Sequence, residues 1–184
     1  ACTRKPSVYR GNPFLVEAAL AYGFKGKEGE SEKETPISLT RIANRVPLLY
    51  QQSACAIYEA VRDVNWRSYG LSQGRAAMPT GPVVLMVNMA SVWVPFTSES
   101  KEAIAHYPEI IKEIKLAVQE CGRKLGMHVR RQKRIRDEMV KRSYIETYLP
   151  HIGQALKDIL ALKDNQVTKL VNNLETTLEK TRKL

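Results

Sequence analysis

The order of segments along this chain predicts an α+β domain, a small sheet covered on one face by helices. Three observations carry that expectation. Strand-type runs lie near Phe14–Tyr22, Ile37–Arg45 and Val83–Val92. A helical stripe falls between the second and third runs, and a long helical pattern follows Lys101. Strands with one helix between them, and then a long helix, suit a split β-α-β arrangement with a crossover connection into the last strand.

Asn12-Pro13 reads as a turn feeding a strand over Phe14–Tyr22. Lys25–Glu34, KGKEGESEKE, is polar and glycine-containing, the composition of a mobile connector. A second strand is expected around Ile37–Arg45, where alternation is poor. Ser53–Val64 predicts a helix, because Ala54, Ile57, Tyr58 and Val61 fall at i, i+3, i+4 and i+7, and Gln-Gln-Ser before it supplies a cap. Leu71–Pro82, with Gly74, Pro79, Gly81 and Pro82, is read as a loop. It delivers the chain into PVVLMVNMASVWV, a β-branched apolar run suited to a buried central strand.

Thr97, Ser98 and Ser100 then offer helix caps, which places Lys101 in or beside a first helical turn. The helix is expected to break or kink near Pro108. Its inner stripe is Ile110, Ile111, Ile114, Ala117, Val118 and Cys121, and Gly122 and Gly126 weaken its middle. A basic run continues on the same helix. Pro150 predicts a restart, since proline is tolerated in a first turn. Ile152, Ala155, Leu156, Ile159 and Leu160 give one terminal helix. Asp164-Asn165 breaks it, and Val167, Leu170, Val171, Leu174 and Leu178 give another.

Charge and cysteine usage bound the function. The net charge is +10, which suits a polyanionic partner or an acidic surface. Nine basic residues between Arg123 and Arg142 face only Asp137 and Glu138. Three widely spaced cysteines without a CxxC pair argue for a reducing interior and against a disulfide framework or zinc site. No apolar run approaches the ~20 residues of a membrane span. The signatures GxxxxGK[ST], GxGxxG, HExxH and GxSxG are all missing, so no catalytic residue and no metal site is expected in this chain.

Three constellations remain. Lys101 is a cation where a helix N-terminus would favour an anion. It either points at a phosphate or carboxylate or lies solvated on its loop. Trp66-Arg67-Ser68-Tyr69 sets two aromatics about an arginine, which suits stacking plus a phosphate contact. Alternatively Trp66 and Tyr69 are packing anchors and Arg67 points to water. Arg130, Arg131, Lys133 and Arg134 head the basic run, either a solvated helix face or a largely sequence-independent DNA contact.

Four stretches together resemble the B subunits of DNA topoisomerase VI, the archaeal and plant type IIB enzyme. They are TRKPSVYRGNPFLVEAALAYG at 3–23, ANRVPLLYQQSACAIYEAV at 43–61, NWRSYGL at 65–71 and GPVVLMVNMASVWVPFTSESKEAIAHYPEIIKEI at 81–114. The resemblance implies a transducer domain with the ribosomal-protein-S5-like fold over 1–143, including a long stalk helix, and a helical C-terminal extension over 144–184. It implies that the chain is part of an ATP-dependent DNA topoisomerase, an isomerase, and couples ATP binding and hydrolysis to strand passage. Relaxation and decatenation are the outcome.

The family's ExxxN helix and DxGxG loop are missing from this stretch, so ATP and Mg2+ would be bound elsewhere in the full enzyme. Lys101 matches the lysine that senses the ATP γ-phosphate. Trp66, Arg67 and Tyr69 match a WKxY motif implicated in DNA engagement, with arginine in place of lysine. The implied partners are the DNA-cleaving A subunit, a second B subunit in a heterotetramer, and duplex DNA. The implied setting is the archaeal cytoplasm and nucleoid, or a eukaryotic nucleus. The alternative is a stand-alone basic nucleic-acid-binding domain of similar fold.

Overall fold

The computed structural model describes residues 1–23 and 35–181. The connector expected at Lys25–Glu34, and the side chain of Leu178, lie outside the described residues. In chain order the strands are β1 (Cys2–Thr3), β2 (Ser7–Tyr9), β3 (Asn12–Tyr22), β4 (Ser38–Ala43), β5 (Val46–Pro47), β6 (Ser72–Gln73), β7 (Pro79–Thr80) and β8 (Val83–Ser91). The helices are α1 (Ala56–Arg62), α2 (Pro108–Leu160) and α3 (Asp164–Thr181). The chain divides into two compact units, Ala1–Val129 and Arg130–Leu184. The α+β class read from the sequence is the class observed.

In the first unit the sheet order is β1-β3-β8-β4-β5, with β2 also paired to β3. β8 is central. It runs antiparallel to β3 (Tyr22↔Val83 through Phe14↔Ser91) and parallel to β4 (Ser38↔Val84 through Ala43↔Met89). α1 therefore lies on the crossover between two parallel neighbours. The expectation of a fully buried strand needs correction, because burial alternates along β8. Val83, Leu85, Val87 and Met89 are buried, while Met86 is 43% exposed. Helices cover one face only, and the other meets water, as mixed and antiparallel sheets allow.

Two hairpin turns use the same device. Tyr9 pairs with Asn12 across Arg10 (φ 48°) and Gly11 (φ 80°), and Ala43 pairs with Val46 across Asn44 (φ 48°) and Arg45 (φ 68°). Left-handed backbone at both turn residues matches the twist of the flanking strands. The first turn thus sits at Arg10-Gly11, and Asn12-Pro13, expected as the turn, already belongs to β3. Asn44 also fastens its turn to the sheet centre: its Nδ2 donates to Ser91 O and its Oδ1 accepts from Ser91 N, both at 2.9 Å.

α1 begins at Ala56, three residues later than expected. Gln52–Ala54 is a 3-10 turn, Cys55 caps the helix without a side-chain hydrogen bond, and Ala54 is exposed. Its buried stripe is Ala56, Ile57, Ala60 and Val61. The inner stripe of α2 follows the sequence reading: Ile110, Ile114, Ala117 and Val118 are fully buried, Cys121 and Leu125 nearly so, and Ile111 partly. These side chains form one core with Phe14, Val16 and Ala18 of β3 and the inward residues of β8. Cys121 Sγ donates to Ala18 O.

α2 starts at Pro108, not at Ser98 or Ser100. Proline's fixed φ and missing N–H suit a helix start, so Pro108 begins the helix where a break was expected. Pro150, expected to restart a helix, instead lies inside α2. A mid-helix proline forfeits one backbone hydrogen bond. Packing within the second unit offsets that loss: Leu149 is buried, and Gly153 approaches Val167 and Val171 of α3. The chain turns at Ala161 (φ 49°), before the break expected at Asp164-Asn165. Lys163 N donates to Gln166 Oε1, capping α3, and Asp164 in its first turn pairs with Lys157. Val167, Leu170, Val171 and Leu174 are half-buried, whereas Ile152, Ile159 and Leu160 are exposed. Of the first terminal stripe only Leu156 is half-buried, and the rest is exposed.

Candidate functional site

Lys101 sits at the tip of a braced loop and not at a helix terminus. The loop's two sides are stitched together: Ala105 N donates to Pro95 O at 2.8 Å, Phe96 bridges Ile104, and Thr97 N donates to Ala103 O at 2.9 Å. Ala103 and Ile104 are fully buried, which roots the loop in the core. Ile104 O accepts from Ala56 N at 2.9 Å, tying the loop to the start of α1. At the tip Ser98 Oγ and Ser100 Oγ share a hydrogen bond, and Lys101 N donates to Ser98 O at 3.2 Å.

Lys101 is exposed with φ 55°. A non-glycine residue held left-handed costs on the order of 1 kcal/mol or more and persists where its surroundings enforce it. Glu99 and Glu102 flank it in sequence, yet Lys101 has no ion-pair partner among the described residues. The result is an ammonium group, without an ion pair among the described residues, on a loop held by main-chain hydrogen bonds, suited to a point-charge contact with an anion.

Trp66, Arg67 and Tyr69 belong to a 3-10 turn over Trp66–Tyr69. Trp66 is fully buried, and its Nε1 donates to Val61 O at 2.8 Å. The stacking face expected of it is therefore turned into the core, where burying the indole satisfies its N–H and its apolar area together. Tyr69 meets Trp66 edge-on, with ring centroids 6.1 Å apart. Its ring lies so close to Gly122 of α2 that a methyl group there would fall 2.5 Å from two ring carbons. Arg67 is exposed but does not point freely to water: its Nε donates to Gln73 O at 2.8 Å, and Nη2 to the same oxygen.

Gln73, unmarked by any sequence motif, is the hub of this region. Its Oε1 accepts from Trp66 N at 3.1 Å, and its Nε2 donates to Arg62 O at 2.8 Å and Ala77 O at 3.1 Å. The segment read as a loop is consequently a small hairpin, β6 with β7, carrying Arg75 near its tip. Arg41 was also missed. It is a buried cation on β4 whose Nη2 donates to Leu48 O and Tyr50 O, holding out the exposed Leu49 and Tyr50.

Arg130, Arg131, Lys133 and Arg134 are exposed on α2 in the second unit and have no ion-pair partner among the described residues. Further along, Lys141 pairs with Glu138 and Arg142 with Glu146. Within the first unit Lys101 stands on its loop and Trp66–Tyr69 pack beside α1 and α2; the four cations belong to the second unit.

Other titratable groups are structural. Burial raises Asp63, but Lys115 at 3.0 Å and Arg62 outweigh it and hold the carboxyl below its ordinary value. Burial, then the Glu120 carboxylate, pushes the Cys2 thiol up to about 11, and burial raises Cys121 as well. These thiols are protonated and inert at neutral pH. No group of three or more His, Cys, Asp or Glu comes together among the described residues. No helix among them is long and apolar enough to cross a membrane.

The comparisons with known proteins agree with this architecture. The family described as "Topoisomerase VI B subunit, transducer" matches residues 1–141. The relatives are B subunits of type 2 DNA topoisomerase 6. That of Methanococcoides burtonii is 50% identical over 158 residues, 86% of this chain and 25% of the relative. That of Archaeoglobus fulgidus is 45% identical over 171 residues, 93% of this chain and 27% of the relative. That of Natronomonas pharaonis is 40% identical, covering 96% of this chain and 22% of the relative. The chain thus spans about a quarter of the length of the relatives it matches. With this match over residues 1–141 and a central mixed sheet with helices packed on one face, this chain belongs to the transducer family of topoisomerase VI B subunits.

Proposed function

We propose that this chain couples nucleotide state to DNA strand passage in an ATP-dependent type IIB topoisomerase. One observation carries the reading: Lys101 is an exposed ammonium, without an ion pair among the described residues, on a loop rooted in the core at Ala103 and Ile104. Such a group fits the terminal phosphate of a nucleotide held by another part of the full-length protein. ATP bound there supplies the phosphoanhydride whose cleavage removes the anion. Loss of that anion frees Lys101, and the loop reports the change to α1 through Ala56 and Ile104. Mg2+ would be held with ATP by another part of the full-length protein, since no three His, Cys, Asp or Glu come together among the described residues. The DNA-cleaving A subunit and a second B subunit are the proposed partners, and the nucleoid compartment is the proposed setting.

Lys101→Ala in the full-length protein is expected to lower ATP hydrolysis or strand passage by about 10²-fold, the scale of one lost charge-stabilising donor, with an unchanged melting temperature. Wild-type turnover in that variant refutes the sensor role. A second reading, a self-sufficient nucleic-acid-binding domain, draws on Arg130, Arg131, Lys133 and Arg134, exposed and without ion pairs among the described residues. It requires the isolated chain to bind duplex at physiological salt with a steep salt dependence.

A further inference from the structure

We infer that the β6–β7 hairpin is the DNA-contacting part of the Trp66–Tyr69 region, with Arg75 touching a phosphate and Gln73 positioning it. This rests on the reading of the chain as part of a DNA topoisomerase and names a contact within it. The Trp66 ring is not open to a ligand as it stands, and two of the nitrogens of Arg67 are already engaged. The indole is buried, and the guanidinium is already bonded to Gln73 O. The guanidinium helps to anchor the hairpin, whereas the indole N–H is spent on Val61 O.

The anchoring is extensive for so short an element. Four side chain–backbone links converge on one glutamine: Trp66 N to its Oε1, its Nε2 to Arg62 O and to Ala77 O, and Arg67 to its main-chain oxygen. Surface hairpins of two-residue strands are marginal by themselves, and these bonds hold this one in a single position against α1. Gly74, Ala76 and Ala77 surround Arg75 with small, exposed residues, so a bulky ligand can approach closely.

Charge selects the ligand. From Asn65 to Ser98 the chain has no Asp or Glu, although it carries 19 acidic residues in all, and Arg67 and Arg75 are the only charged residues in that stretch. Arg75 is exposed and without an ion pair among the described residues. An acid-free stretch of chain that presents one exposed guanidinium, and also exposes Ser68 and Ser72, has the chemistry of a phosphodiester contact, which fixes position without reading bases.

The test uses the full-length protein, a linear duplex as ligand, and binding measured across a range of salt. Arg75→Ala is expected to weaken binding about threefold to tenfold near 0.1 M salt and to reduce the log–log salt slope by about 0.9, the release of one phosphate's counterions. Arg75→Lys should keep the slope. Gln73→Ala should lose the same increment, and the Gln73→Ala/Arg75→Ala double variant should lose no more than either alone, the non-additivity expected of one contact and its support. Arg75 is exposed, so its variants should melt like the wild type.

An unchanged slope in Arg75→Ala overturns the inference and leaves the topoisomerase reading intact. So does a variant that loses binding to polyglutamate but not to duplex, since the surface then takes acidic protein. Additive losses in the double variant overturn the positioning role of Gln73. A wild-type protein with no salt-dependent duplex binding overturns both the inference and the DNA reading beneath it.

Discussion

Gly122 shows how one missing side chain fixes the placement of a motif. Mid-helix, glycine costs about 1 kcal/mol relative to alanine, so Gly122→Ala ought to stabilise α2. Here the added methyl would sit 2.5 Å from two carbons of the Tyr69 ring, a flat group with no flexible end to swing away. Overpacking of this kind costs about 1–3 kcal/mol. Gly122→Ala is expected to lower the melting temperature, and the same change in a Tyr69→Ala background to raise it; calorimetry on the two pairs checks both signs. The sequence showed Gly122 only as a weak point in a helix, because nothing in the spacing of residues reveals which ring lies opposite. Trp66 has the same history. Its flanking arginine suggested a ligand, but whether an indole faces solvent or core is decided by partners such as Val61 that lie off the motif.

At the scale of elements, α1 and α2 are pinned by Asp63 and Lys115 at 3.0 Å. Because the folded-state pKa of Asp63 is depressed, its contribution is present above the unfolded carboxylate value near 3.8 and is lost as pH falls through the lower folded one. Wild-type stability should therefore fall in acid more steeply than that of Asp63→Asn, and acid titrations of both followed by circular dichroism check it. The longest periodic signals gave the best expectations, since the α2 stripe from Ile110 to Cys121 repeats over several turns. Termini were less legible. Ser98 and Ser100 are chemically good caps, but Ala103 and Ile104 are drawn into the core and impose a hairpin-like loop, so tertiary burial overrode local preference. Pro150 misled for the same reason, with Leu149 and Gly153 packed in the second unit.

For the molecule as a whole, stability of the first unit hangs on the sheet centre. Leu85 is fully buried on β8, the strand bonded to both halves of the sheet. Leu85→Ala should cost about 2–5 kcal/mol, read as a lower denaturant midpoint, while Met86→Ala on the open face should cost far less. Fold class and the three longest strands were legible because apolar strand-type runs and helical stripes alternate along the chain, whereas the two- and three-residue strands were too short to leave a pattern. α1 is fastened at both ends: Ala56 N to the Lys101 loop through Ile104 O, and Arg62 O to Gln73 beneath the Arg75 hairpin. Seven residues of helix, at ~1.5 Å of rise each, thus join the attachment points of the two cation-bearing loops, a short tether whose two knots lie roughly 9 Å apart.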